Sequence, residues 1–166
     1  RSAWQAEFLK TVDSRFSAQA QAALNHALNL VHHFRLNYVG TEHLLWGLVV
    51  NQSDDVTQLL HEAGVSKVTF AQAAIARLGL PPDTAMPETT PTNVETATVS
   101  APLLVPRVID VFKLADTIRG EAKGTQIETT HLLLASLREG GGMAVTLLQD
   151  GGVDLVVLEQ HLVATL

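Results

Sequence analysis

Two acid–histidine phrases stand out in this chain: "TEH" at Thr41–His43 and "ETTH" at Glu128–His131. A carboxylate beside an imidazole is the material of a general acid–base pair. An E-x-x-H step on a helix is also half of a di-metal carboxylate site. The first phrase, however, has Gly40 where the second has Glu128, so the paired copies such a bundle needs are missing and no metal is expected. His43 and His131 recur at what reads as N2 of a helix, beside apolar leucines, where a packed or hydrogen-bonded imidazole is the simpler account. His32 and His33 are sequence neighbours near a helix end, point apart, and read as surface. "EGGGMA" lacks the Lys and the spacing of a phosphate-cradling loop, and no Ser/His/Asp arrangement is visible. No enzyme and no cofactor are expected. The catalytic rival is a small helical enzyme using Glu42 with His43 or His131 as acid and base.

The elements that carry these residues are written twice. Thr41 and Thr129 differ by 88, and the same shift takes Leu59-Leu60 to Leu147-Leu148 and Gly64-Val65 to Gly152-Val153 without a gap. Phe16, Ala20, Ala23, Ala27, Leu30 and Phe34 map to Leu104, Val108, Val111, Ala115, Ile118 and Ala122. Steps of four and three make both sets one stripe of a long amphipathic helix. Each half therefore reads as four helices, about 17–35, 41–51, 54–63 and 66–78, then 105–122, 129–139, 142–150 and 154–165. Thr41, Ser53, Ser66, Thr129 and Asp154 are placed as N-caps, and Gly64 and Gly152 as left-handed stops. The predicted architecture is all-α: two pseudo-twofold four-helix repeats, 15–79 and 103–166, in one compact domain. Between them, 80–102 reads as a Pro/Thr-rich linker, extended and solvated. Residues 1–14, with Trp4, Phe8, Leu9 and Val12, read as an extra N-terminal helix.

Composition narrows the function. Apolar residues make up 46% and charged residues 17%, as in a globular chain. There is no cysteine, which removes disulfides and zinc–thiolate sites. The net charge of −6 comes from the second half, where residues 81–166 hold 5 basic and 11 acidic side chains. No basic cluster exists, so nucleic acid is not an expected partner. No apolar run approaches the roughly 20 residues of a membrane span, and a cytoplasmic monomer is the default expectation. The apolar surplus points to a partner surface.

"NYVGTEHLLWGLV" and "LREGGGMAVTLLQDGGV", set in two helical quartets, resemble the Clp N-terminal domain, the double-repeat module in front of the ATPase rings of ClpA-, ClpB- and ClpC-type unfoldases. The ClpC branch is the nearest in pattern, and the resemblance covers about 15–166. It implies a domain without catalysis that docks unfolded protein substrates and adaptor proteins for protein quality control, with a Clp ATPase either attached or served by a free-standing accessory protein. The N-terminal extension before Phe16 tilts the expectation towards the free-standing form. The resemblance also implies a phosphoarginine site in each repeat, where a Glu in the "TEH" phrase holds the guanidinium and a Thr opening the long helix holds the phosphate. A helix N-terminus suits a phosphate and a carboxylate suits a planar guanidinium. On that pattern repeat 1 supplies Ser17 and Glu42. Repeat 2 has Val105 and Thr130 at the matching places and is expected to be degenerate. A third possibility is a purely structural dimerisation domain.

Overall fold

The computed structural model describes residues 12–89 and 102–166. The expected helix over Trp4, Phe8 and Leu9 lies outside the described residues, and α1 (Val12–Arg15) is the described end of that extension. Repeat 1 consists of α2 (Ala18–His33), β1 (Tyr38–Val39), α3 (Thr41–Val50), α4 (Asp55–Glu62) and α5 (Lys67–Leu78). Repeat 2 consists of β2 (Leu103–Leu104), α6 (Pro106–Glu121), α7 (Thr129–Glu139), α8 (Met143–Asp150) and α9 (Leu155–Ala164).

The duplication is visible in the backbone. The bounds of α6 and α8 are those of α2 and α4 shifted by 88. Arg35 and Lys123, another pair at that separation, are both left-handed, with φ of 54° and 58°. Gly64 and Gly152 are left-handed as well, at 92° and 79°. Each glycine lets the next residue turn back on its helix: Val65 N–H donates to Leu60 O at 2.8 Å, and Val153 N–H to Leu148 O at 3.0 Å. That bond closes a Schellman stop, which a residue with a Cβ adopts only under strain.

The repeated phrase forms the centre of the molecule. α3 packs on α2, α4, α5, α7 and α8, and α7 packs on α2, α3, α4, α6, α8 and α9. Every residue of α3 except Glu42 is buried. A helix that is apolar all round belongs inside, and "LLWGLVV" leaves it no polar face to expose. The alanines of α2 and Gly47 of α3 allow close approach, since Gly47 lies directly on the backbone of Ala23. Trp46 stacks at a tilt on Phe70, with centroids 5.4 Å apart. Phe16 meets Phe112 edge-on at 5.6 Å and ties the repeats together. Burial of each such phenyl group contributes roughly 2–3 kcal/mol.

Several capping assignments differ from expectation. Ser66 and Asp154 cap as the pattern suggests, and Ser17 is a cap as well; they accept from backbone N–H groups of α5, α9 and α2 respectively. Thr41 and Thr129 are instead the first helical residues, behind Gly40 and Glu128. Their hydroxyls are drawn across the repeat interface: Ala144 N–H donates to Thr41 Oγ1 at 3.1 Å, and Thr129 Oγ1 donates to Asp54 Oδ1 at 3.0 Å. Ser53 is left-handed, with φ of 55°, and Asp54 is the N-cap residue of α4.

The first part of the Pro/Thr-rich stretch is not free in solvent. Leu80–Thr89 runs back along α2, where Met86 packs on the core and Pro87 is buried. Asn29 and His33 bond to the carbonyls of Glu88 and Ala85. Residues 90–101 of the stretch lie outside the described residues. Among the described residues, no helix is long and apolar enough to cross a membrane.

Candidate functional site

Two short backbone ladders place the four residues singled out as ligand-binding candidates. β1 pairs with β2 in parallel, Tyr38 opposite Leu103 and Val39 opposite Leu104, and Val105 N–H donates to Val39 O at 3.2 Å. The dyad-related ladder pairs Phe16 with Ile127, where Ser17 N–H donates to Ile127 O at 3.0 Å. The start of each long helix is thereby tied to the "TEH"-type phrase of the opposite repeat. Val105 lies at the end of the ladder that carries Gly40–Glu42, and Ser17 at the end that carries Glu128–Thr130.

Ser17 and Glu42 are therefore not one site. α2 and α3 run antiparallel, with Asn51 at the end of α3 bonded to Gln19 at the start of α2. Glu42 lies beside Leu30 and Phe34 at the far end of α2. The helical rise from 17 to 30 puts about 20 Å between the serine and the acid. Ser17 is also buried, and its oxygen is engaged by Ala20 N–H at 3.1 Å. The expectation of a phosphoarginine cradle built within repeat 1 from Ser17 and Glu42 is thus corrected. Val105 and Thr130, paired as a degenerate second site, are separated in the same way. Sequence reading missed this because these pairings, two residue pairs in one and a single pair in the other, join segments 65 or more residues apart and leave no periodic trace.

Glu42 sits instead in a groove of about 350 Å3 between α2, α5 and the Leu80–Met86 segment. Its walls include Leu30, Phe34, Phe70 and Ala74, with Tyr38 and Leu78 at the rim. Tyr38, Leu78 and Leu103, the ladder partner of Tyr38, are exposed apolar side chains, and they extend the apolar surface outward. Glu42 folds back over Gly40, whose lack of a side chain makes the room. Burial pushes its carboxyl above the usual range, partly offset by a bond to its own backbone N–H. Among the described residues no Lys or Arg lies within ion-pair reach of it.

His43 closes the floor. Its Nδ1 accepts the N–H of Gly40 at 2.8 Å, one position deeper in the helix than expected, at N3. Burial lowers its pKa to about 4. Glu42 Oε1 approaches the same Nδ1 to 3.7 Å, but a nitrogen already accepting a hydrogen bond has no proton to offer, so the pair is not an ion pair at neutral pH. His131 repeats the arrangement, accepting Glu128 N–H at 2.8 Å. Both imidazoles fix the first turn of their helix through Nδ1, which leaves the proton of each neutral ring on Nε2. Among the described residues no group of three His, Asp or Glu side chains is placed to hold a metal.

The dyad counterpart of the groove is built differently. Phe34, Leu36, Tyr38 and Glu42 correspond there to Ala122, Gly124, Gln126 and Thr130. Arg119 lies over that place, donating to Gly124 O at 2.9 Å and to Asp116 Oδ1 at 2.9 Å. Its counterpart in repeat 1 is the buried Val31. The same backbone thus carries an open apolar groove in one copy and an arginine-covered surface in the other. A larger and more open concavity of about 600 Å3 lies at the other end of α3, where Val49 and Val50 share the lining with Asp54, Asp55, His61 and Lys67.

Two helical quartets related by a pseudo-dyad, with an apolar groove on one of them, define a double-repeat helical domain. The chain belongs to the family of the Clp repeat (R) N-terminal domain, whose model matches residues 15–149. It is 29% identical over 156 residues to the chaperone protein ClpB of Oceanobacillus iheyensis, a match that covers 92% of this chain and 17% of that protein. Among solved structures, the fold is similar to the N-terminal domain of the caseinolytic protease associated chaperone ClpD of Arabidopsis thaliana (TM-score 0.69, 18% identity, 91% and 96% of the two chains covered). It is also similar to the N-domain of ClpV from Vibrio cholerae (TM-score 0.61, 22% identity, 92% and 86% covered).

Proposed function

We propose that this domain docks protein segments, from unfolded substrates or from adaptor proteins, for a Clp-type ATPase that it serves on the same polypeptide or as a separate accessory protein. One observation supports the reading above others. The groove of repeat 1 keeps an apolar wall, an exposed apolar rim and a carboxylate without a Lys or Arg partner among the described residues, where its dyad mate is covered by Arg119. A groove of that character retains an extended apolar segment, and its desolvated acid selects a basic or amide-bearing side chain within it.

The test uses the rim, which is exposed and tolerates change. Binding of a fluorescent, permanently unfolded protein is measured by anisotropy for the parent and for Tyr38→Asp and Leu78→Asp. Each substitution is expected to weaken binding about tenfold or more, since tenfold corresponds to only about 1.4 kcal/mol. Gln126→Asp, at the dyad counterpart of Tyr38, should leave it unchanged. Equal affinity for all four proteins rejects the groove.

An arginine-phosphorylated segment is the narrower form of the proposal. Glu42 offers a partner for the guanidinium, while the helix start beside it is Val105, without a hydroxyl. Calorimetric titration with phosphoarginine, on the parent and on Glu42→Ala, decides it. Heat in the parent that vanishes in the variant is the expected result, and no heat in either protein removes this form while leaving segment docking in place.

A further inference from the structure

The groove already has an occupant along one side. Leu80 and Met86 stand in its wall, Met86 packs against the core, and Pro87 is buried. The chain between them is extended apart from one turn, in which Thr84 bonds back to Pro81 O. Its attachment is slight. At its root Leu80 N–H donates to Ile75 O of α5 at 3.0 Å; beyond that and the turn, the bonds it makes among the described residues are His33 Nε2 to Ala85 O at 2.8 Å and Asn29 Nδ2 to Glu88 O at 3.5 Å, both at the surface. No ladder or helix holds it down. An extended segment anchored by Met86 and Pro87, and tied beyond its root on α5 by two exposed bonds, has the form of a ligand more than of a wall.

We infer that Leu80–Thr89 is an intramolecular competitor, a strap that occupies part of the repeat-1 groove and is displaced when a partner segment docks. The inference rests on the docking reading above and adds its regulation. Methionine suits the part, because its flexible, polarizable side chain packs adequately in an imperfect site and leaves at low cost. Tethering gives the strap a high effective concentration, so even weak contacts suppress loose ligands and admit only those that bind better. The strap also predicts the preferred ligand: an extended, proline-tolerant segment with a long unbranched apolar side chain.

The chain has no cysteine, so Met86→Cys introduces a single thiol. Its rate of modification by an aromatic disulfide reagent is followed with and without the unfolded probe protein, whose binding is measured in parallel by anisotropy. Displacement predicts labelling about tenfold faster when the probe is bound. Unchanged or slower labelling while the probe demonstrably binds overturns the strap and leaves docking intact. No binding of the probe to parent or variant overturns docking, and the strap with it. As an independent check, Met86→Ala should bind the probe several-fold tighter than the parent, with an unaltered helical circular dichroism spectrum. Equal or weaker binding by Met86→Ala counts against displacement.

Discussion

Thr41 of repeat 1 caps a helix of repeat 2: its Oγ1 accepts the N–H of Ala144 at 3.1 Å. Gly142, the residue before α8, has no side chain to do this. Thr41→Val is expected to destabilise the domain by about 1 kcal/mol, the usual value of a lost cap, and Thr41→Ser to recover most of it. Urea denaturation of the three proteins measures this. A valine variant as stable as the parent would show that the bond contributes nothing net.

Gly47 lies on the backbone of Ala23, where the two most intimately packed helices of repeat 1 touch. Gly47→Ala forces α2 and α3 apart and should cost roughly 2 kcal/mol or more. Gly120, also helical, has open space where a Cβ would go. Gly120→Ala should stabilise by roughly 0.5–1 kcal/mol through helix propensity. Thermal melts of the pair should move in opposite directions.

Acid should unfold the domain through its histidines. His43 has a pKa lowered to about 4, and burial lowers His26 and His131 too. The unfolded chain takes up these protons near pH 6.5 and the folded chain resists them. Stability is therefore full above about 6.5 and falls as the pH drops towards 4, with His43 alone contributing on the order of 3 kcal/mol. The raised carboxyl of Glu42 acts in the opposite sense, favouring the fold as the pH falls. Denaturation midpoints at pH 7.5, 6 and 5 should decline monotonically, and a flat profile would contradict the buried neutral imidazoles.

Gly40→Ala would place a methyl group where the Glu42 carboxylate rests. Binding of an arginine-containing segment should then fall as far as in Glu42→Gln. The double variant should be no weaker than either single one, because both remove the same contact. Additive losses would mean that Gly40 and Glu42 act separately.

Much of this was legible from residue types alone. The shift of 88 between Thr41 and Thr129, and the two apolar stripes, predict four helices per repeat because helix burial writes a period of 3.6 into a sequence. Ser66, Asp154, Gly64 and Gly152 act where local chemistry places them, since a cap or a left-handed stop depends on its own few neighbours. The errors came where a side chain answers to something distant. Thr41 and Thr129 look like caps of their own helices, but a helix end from the other repeat claims each hydroxyl. Leu80–Thr89 looks like linker, yet Met86 finds an apolar wall assembled from α2 and α5.

The sequence by itself determined the duplicated helical architecture, the family, and the candidacy of Glu42 as the one acidic residue in an otherwise apolar phrase. Only the tertiary structure decided its surroundings. The parallel pairing of Val39 with Leu104 and of Phe16 with Ile127 crosses the repeats, so Ser17 and Glu42 part to opposite ends of α2. The physical reason is range: periodicity and capping are written within a few residues, whereas a groove is made by segments that meet only after the chain has packed.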